Sequence, residues 1–486
     1  MSQLERAARN SGWILAGRGA ERLIRIAVVV VLARWLGARG FGVYSFAFAY
    51  AELFAIFTDA GLHTVLVREM AKGRGSASSL MGDVFILKIV LAILSWIAAC
   101  AVAVWTMPGG ETLWSALAAS FLLFVSFRVA SLRTVLDAPF EANLKMATPV
   151  AVGIGSEILS GACLVAAAWL RWPIPAMIGI QLVMFVPGCA LLAGLSFRQV
   201  RPSFEFAPSR WPGLLRMAVP IGAANVFLIV YTRSDLLMLE WLSSATSVGM
   251  YSAAYKLTGS LAILPSAITV SLLPLLSAAF EAGDREKVGR MYRGSVSLAL
   301  VLGMPVAVCG LVLAGDIVGL IYGRAFAPAA GALRVLAAST LLSFVLYVMT
   351  TAAVAAGRAG LFTAYAGLLA LVNAGMNYFL IPRFDFIGAG WATLTAEGIM
   401  VAAGLAVLRP IAGWPSGEAA LRAAGAALAA GAALAWIPAS LAVNLFVSAV
   451  LYGTLIVWGG GVTPEGAAAV KSLLRPKFLS RQSEGE

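Results

Sequence analysis

Residues 35–45 read Trp35-Leu36-Gly37-Ala38-Arg39-Gly40-Phe41-Gly42-Val43-Tyr44-Ser45, and residues 241–252 read Trp241-Leu242-Ser243-Ser244-Ala245-Thr246-Ser247-Val248-Gly249-Met250-Tyr251-Ser252. Each copy closes one long apolar run and opens the next, and the copies lie about 206 residues apart, an interval of six runs. An even number of crossings preserves orientation, so the pattern predicts a parallel repeat about an axis along the membrane normal.

The runs around these copies are about 20 residues long, enough for a helix to span a bilayer. Of the 486 residues 61% are hydrophobic and 12% charged, with a mean hydropathy of +0.90. A soluble chain of this size carries roughly 25% charged residues, so most of the surface must face lipid. The runs are continuous and rich in Ala, Leu and Gly rather than alternating, which argues against a membrane β-barrel. We read an all-α integral membrane protein with spans at roughly 12–36, 42–66, 83–106, 112–136, 148–170, 174–196, 217–242, 248–279, 294–314, 331–356, 361–381, 387–409, 419–437 and 440–458. These fourteen spans imply a six-helix lobe over 1–197, a basic linker at 198–216, a second lobe over 217–409, two further helices over 410–460 and a tail over 461–486. Span 13, Ala423 to Ala435, is almost pure Ala, Gly and Leu, which suits close helix packing. In the tail, Thr463-Pro464-Glu465 reads as a helix start.

The charges fall on one side. If the N-terminus is cytoplasmic, about 22 Lys and Arg lie on its side of the membrane, and the opposite loops carry Arg34, Arg39, Arg171, Arg324 and Arg383 alone. That bias predicts both termini in the cytoplasm of a multi-pass cytoplasmic-membrane protein. It also assigns the net charge of +12 to anionic lipid headgroups, not nucleic acid. No cleavable signal peptide is expected, because the N-terminus leads into a long span. Cys100, Cys163, Cys189 and Cys309 lie inside apolar runs and read as small buried hydrophobes. With one histidine, no metal site and no cofactor are expected.

Charges inside the spans are the informative residues, because each is costly at the bilayer centre and must face a partner or a water-filled space. Arg18, Arg22 and Arg25 share one face of span 1, with Glu21 beside them. Arginine forks match phosphate oxygens two at a time, so this stripe reads as a pyrophosphate-binding surface. The alternative is an entry helix whose arginines snorkel to headgroups. Matching depth along the antiparallel span 2 sets Glu52 level with Arg25 and Asp59 level with Arg18, as displaceable counter-ions or as static pairs. In the second lobe Arg233 and Asp235, with Glu240, sit on span 7 and Lys256 on span 8, with Asp235 and Lys256 at one depth. Glu157 and Glu397 read as lone carboxylates, candidates for a coupling proton or cation, or for hydrogen bonds to a neighbouring helix. Arg128 and Arg334 are further candidate cavity residues. His63 reads as an interfacial histidine, with pH sensing as the alternative. The tryptophans near span ends read as interface anchors.

Several segments carry a family resemblance. The first runs Leu32-Ala33-Arg34-Trp35-Leu36-Gly37, through Phe41-Gly42-Val43-Tyr44, to Asp59-Ala60-Gly61-Leu62 and Arg68-Glu69. A second combines Gly315-Asp316-Ile317-Val318, Ile321-Tyr322-Gly323, Phe326, Ala329 and Leu333-Arg334-Val335-Leu336. The third is Asn373, Asn377 and Leu380-Ile381-Pro382-Arg383-Phe384, then Ile387 through Thr393; the turn Glu281-Ala282-Gly283-Asp284 fits as well. In order and spacing these resemble the polysaccharide-export, or O-antigen flippase, family, whose superfamily also holds multidrug extruders and the lipid II flippase. The resemblance implies a lobed fourteen-helix fold, alternating access and a lipid-pyrophosphate-linked glycan as cargo. Polysaccharide polymerases and glycosyltransferases are the implied partners, and a proton or sodium ion the candidate coupling ion. It transfers no catalytic residue. The competing readings are a drug or cation extruder, which wants an acidic cavity, and a membrane glycosyltransferase or polymerase. An enzyme of that kind wants acidic residues in a large outer loop, whereas here the outer loops hold only Glu111, Asp316 and Asp385.

Overall fold

A computed structural model describes residues 3–73, 76–107, 109–127, 131–357, 359–413, 417–436 and 440–458. Regular structure among them is helical: α1 Gln3–Asp59, α2 Leu62–Ala71, α3 Ala77–Thr106, α4 Gly110–Ser120, α5 Arg133–Ala142, α6 Ala147–Trp169, α7 Ile174–Gln199, α8 Trp211–Leu242, α9 Ala245–Ser260, α10 Ile263–Glu281, α11 Arg285–Val312, α12 Ala314–Tyr322, α13 Ala329–Ala355, α14 Ala359–Ala412, α15 Gly417–Trp436 and α16 Leu441–Trp458. Nine helical stretches among the described residues are long and apolar enough to cross a bilayer. The start of the tail proposed at Thr463-Pro464-Glu465 lies outside the described residues.

Two of these stretches are double. α1 breaks at Gly37 (φ 65°), where the sequence places the turn between its first two spans, and α14 breaks at Asp385 (φ 53°), between the eleventh and twelfth. Both residues combine a positive φ with an extended ψ (−179° and −138°), which glycine adopts without a Cβ penalty, whereas Asp385 is held there under strain. Elsewhere the expected spans are interrupted. The run expected over 112–136 is helical only to Ser120, followed by a 3₁₀ turn at Phe121–Leu123, and helix resumes at Arg133. Irregular backbone at membrane depth needs its polar groups satisfied. The Ser131 hydroxyl donates to the Ser126 carbonyl at 3.0 Å, and the Arg133 N–H donates to the Ser131 hydroxyl at 3.3 Å. The span expected over 248–279 likewise parts between α9 and α10, and the one over 42–66 between α1 and α2.

The chain forms two compact units, Met1–Ser252 and Ala253–Glu486. The first is built on α1, which packs against α3, α4, α6 and α8. Its core joins Leu32, Tyr44, Phe48, Leu122, Met177 and Phe185, and the Tyr44 hydroxyl is satisfied by Gln181 Oε1 at 3.2 Å. The two motif copies touch inside this unit. A Cβ on Gly42 would lie 1.7 Å from the Ala245 carbonyl oxygen, and a Cβ on Gly249 1.9 Å from that of Ala38. The contact is reciprocal, with each glycine four residues after the carbonyl that faces its counterpart. A second crossing of this kind sets Gly61 against Ala218 and Gly222 of α8. Gly42→Val must force backbone from backbone, a cost of about 3 kcal/mol on overpacking values. The expected outcome is a lower melting temperature in detergent, with no such loss for Gly19→Ala, where a Cβ has open space.

The basic linker lies along the start of α3. Ser203 N–H donates to the Ser78 carbonyl at 3.0 Å, and Gly82 leaves room for the Ser203 carbonyl. Arg210 reaches Asp83 at 3.2 Å.

In the second unit α13 packs on α10, α11 and α14, and α15 lies along α11. Small residues permit the latter approach, as the composition of span 13 suggested: Ala423, Ala427 and Ala430 are buried, and Gly431 faces Val308. The Tyr452 hydroxyl of α16 donates to the Val301 carbonyl at 2.7 Å. The turn into α11 is capped by Asp284, whose carboxylate accepts the Lys287 N–H at 2.9 Å.

Candidate functional site

The charged residues of span 1 lie on the first half of α1, which packs against α6. Arg25 sends one guanidinium nitrogen to Glu157 Oε1 of α6 at 3.0 Å. The pair is lopsided: the Arg25 side chain is 37% exposed and that of Glu157 is 1% exposed. Arg25 Nε is buried without a hydrogen-bond partner. Arg22 and Glu21 are half-buried, and Glu21 leans on the same helix, since a Cβ on Gly153 would lie 2.5 Å from its Oε1. The Arg18 side chain and all of Arg128 lie outside the described residues.

Depth matching fails to give the partners. Glu52, expected level with Arg25, is ion-paired with Arg233 of α8, and both are about a quarter exposed. Asp59, expected level with Arg18, is paired with Lys88 of α3 at 2.6 Å. Glu157 is no lone carboxylate, because Arg25 is its counter-ion. The physical reason is common to all three. Rise along the axis fixes height, but the bearing of a side chain follows the 3.6-residue turn. That bearing aims these residues at α3, α6 and α8 instead of at the neighbouring half of α1.

Asp235 is buried and accepts the Tyr251 hydroxyl. On the same helix Glu240 accepts the Thr112 hydroxyl at 3.3 Å. In the second unit Lys256 is half-buried and Arg334 exposed. Glu397 is buried and accepts two serine hydroxyls, Ser339 at 2.5 Å and Ser343 at 2.6 Å. Nearby on α14, Asn377 donates to Asn373 Oδ1 at 3.2 Å and Asn373 to the Thr393 hydroxyl at 3.4 Å. Two apolar cavities also lie in this unit. One of about 330 Å³ is lined by Leu257, Pro305, Ile317, Leu333 and Leu445, the other of about 190 Å³ by Met349, Phe362, Tyr365 and Val407. Neither lining contains a charged residue. Among the described residues no group of three His, Cys, Asp or Glu side chains is placed to hold a metal ion.

Sequence reasoning passed over Lys88 and Arg133. Lys88 is fully buried, with Asp59 Oδ1 at 2.6 Å and the Thr134 hydroxyl at 2.5 Å. Its signal was available: one cation inside the first turns of the apolar run 84–105. Arg133 pairs with Asp137 at 3.2 Å and lies over the Phe127 ring at 4.6 Å.

Buried charges balanced between helices, inside a protein made of apolar spans, mark the functional interior of a multi-pass membrane protein. The chain belongs to the family described as polysaccharide biosynthesis protein, whose model matches residues 7–280; the MatE model matches residues 220–379. Similar relatives are a probable flippase AglR of Haloferax volcanii, 30% identical over 35% of this chain and 36% of that protein, and a probable low-salt glycan biosynthesis flippase Agl15 of the same organism, 23% identical over 75% of each. A putative O-antigen transporter of Shigella flexneri is 23% identical over 65% of this chain and 77% of its own length. The match thus spans about a third of AglR but three quarters of the other two. In fold the chain resembles the lipid II flippase MurJ in an inward closed conformation, with a TM-score of 0.72 at 14% identity, covering 91% of this chain and 98% of that one. It also resembles an inward-facing multidrug resistance MATE family transporter, with a TM-score of 0.64 at 13% identity, covering 80% and 94%.

Proposed function

We propose that this transporter flips a lipid-pyrophosphate-linked oligosaccharide from the cytoplasmic to the outer leaflet of the cell membrane by alternating access. It would do so with fourteen spans, two six-helix lobes and two further helices after them, and both termini in the cytoplasm. The observation that carries this reading is the Arg25–Glu157 pair. Its carboxylate is sealed in α6 while its guanidinium is one-third open and keeps an unused buried donor at Nε. Such a guanidinium can donate to a phosphate through its open face while the buried carboxylate keeps its counter-ion. The pair of Arg233 and Glu52 supplies a second cation on α8. Arg18, Arg22, Arg128 and Lys256 are the further proposed phosphate or sugar contacts. Glu21, Glu52, Asp59, Asp235, Glu157 and Glu397 are the proposed coupling or gating residues.

The relatives named for flippases and for O-antigen transport support this cargo, and polymerases and glycosyltransferases of surface polysaccharide synthesis are the proposed partners. An inside-negative membrane potential favours outward movement of an anion by about 2.3 kcal/mol per charge per 100 mV, so the proposal does not depend on an ion gradient. Reconstitution in liposomes tests it. A fluorescently tagged polyprenyl-pyrophosphate-linked sugar is expected to change leaflets in the presence of the wild-type chain and to remain in place with Arg25→Ala. Equal transfer by that variant contradicts the assignment of Arg25.

The MatE match over 220–379 favours a second reading, extrusion of organic cations. Its signature is uptake of a cationic dye into the same liposomes, competing with the glycan lipid.

A further inference from the structure

A second set of charges, apart from Arg25 and Arg233, gathers where α1 gives way to α2. α1 contributes Asp59, α2 His63, α3 Lys88, and α5 Arg133, Asp137 and Glu141. The contacts are Lys88 to Asp59 at 2.6 Å, Arg133 to Asp137 at 3.2 Å and His63 Nε2 to Glu141 Oε2 at 3.1 Å. Exposure is graded from inside outward: Lys88 0%, Asp137 10%, Asp59 14%, Arg133 20%, His63 25% and Glu141 43% of the side chain. Other charged or titratable groups on the packed helices stand aside. Asp83 of α3 is paired with Arg210, Glu157 of α6 with Arg25, and Arg216 of α8 is exposed. α7 offers the Cys189 thiol.

The six groups are one proton short of balance. Two cations face three carboxylates, so the cluster carries one negative charge when the imidazole is neutral and none when it is protonated. Burial penalises net charge, and one added proton would bring the cluster to neutrality. Two buried atoms of the cluster lack a hydrogen-bond partner, His63 Nδ1 and Asp137 Oδ1. Both are unfilled acceptors while the imidazole is neutral. One proton on the ring turns Nδ1 into a donor and gives the buried carboxylate a counter-charge, and the two groups are electrostatically coupled.

The cluster is also joined to the cargo site. Asp59 and Glu52 are seven residues apart on α1, on one face with unbroken helix between them, and Glu52 is the counter-ion of Arg233. Immediately after Asp59 the chain turns through Ala60 (φ 44°) and Gly61 (φ 88°). Ala60 is held at a positive φ that is strained for a residue with a Cβ. Gly61 abuts α8, the helix that bears Arg233.

We propose that this cluster, entered at His63, is the binding site of a coupling proton, and that its occupancy is relayed through the Ala60–Gly61 turn and α1 to the Glu52–Arg233 pair. The coupling role rests on the flippase reading; the proton site does not. His63 is the single histidine of the chain, so the full-length protein, labelled with ¹⁵N-histidine in lipid nanodiscs, reports one imidazole. Acidification is expected to move its signal in one step. In Asp137→Asn that step is expected at lower pH, because a nearby negative charge has been removed. A step that Asp137→Asn leaves unmoved overturns the site.

The same liposome transfer of the tagged polyprenyl-pyrophosphate sugar tests coupling. An imposed pH gradient is expected to change the wild-type rate several-fold, whereas in His63→Gln the ratio of the rates with and without the gradient is expected to fall to about one. A response retained by His63→Gln overturns the coupling role. Absence of wild-type transfer under every condition removes the flippase reading and the coupling role together, and the imidazole titration still decides the proton site.

Discussion

Arg25→Ala is expected to stop transfer of the glycan lipid and to lower the stability of the protein by about 3 kcal/mol. The second effect follows from the lopsided burial of the pair. Removing the cation takes the ion-pair partner from Glu157, 1% exposed, and breaking one side of a buried ion pair costs about 3–5 kcal/mol. Part of the Arg25 side chain is open, so the lower end of that range applies. The double variant Arg25→Ala/Glu157→Gln separates the two effects. Its buried group is neutral, so most of the lost melting temperature should return in detergent. Transfer should stay absent, because the guanidinium that meets phosphate is still missing. A double variant that regains both would make Arg25 a structural counter-ion only.

The largest effect on folding is expected at Lys88. Lys88→Met removes an ammonium that is fully buried between Asp59 and Thr134. It leaves Asp59 and the Arg133–Asp137 pair with an excess negative charge inside the first unit. A loss of about 3–5 kcal/mol follows, read as a reduced yield of monodisperse protein on size exclusion. Lys88→Met/Asp59→Asn should recover most of it, because replacing both partners of a buried pair with neutral groups is often tolerated. Lys88→Arg should not recover the wild-type yield, since a site with no exposed surface has no volume for the larger head. Normal yield from Lys88→Met alone would mean that Asp59 is neutral in the folded protein.

The parts of this structure that the sequence made legible are those a bilayer dictates. Each apolar run had to be helical because a backbone in hydrocarbon must satisfy its own hydrogen bonds. The break at Gly37 was marked by a glycine between two such runs. The paired motifs at Gly42 and Gly249 were visible as a repeat, and they are close-packed because each lets a carbonyl of the other copy approach. Other breaks left no mark of that kind. Residues 121–132 are as apolar as the helices on either side, and the serines that satisfy the irregular backbone read as ordinary small residues. Partners were least legible. Arg25 and Glu157 are 132 positions apart, and nothing in either neighbourhood names the other. Depth along a span gives height but not bearing, so it offered Glu52 where the fold supplies Glu157. Lys88 and Arg133 were passed over because each was tallied as one charge among many. Their meaning comes from the Asp59 side chain of α1 and the Thr134 and Asp137 side chains of α5, brought to them by the fold.

The central claim is that fixed cations of the first transmembrane segment receive a phosphate-bearing headgroup. Native mass spectrometry of the full chain, released from nanodiscs holding equal amounts of a polyprenyl pyrophosphate and the corresponding polyprenol, measures it directly. The account predicts that the wild-type chain retains the pyrophosphate well above the alcohol, and that Arg25→Ala/Glu157→Gln retains the two alike. Equal retention by the wild type, or an undiminished preference in the double variant, contradicts it.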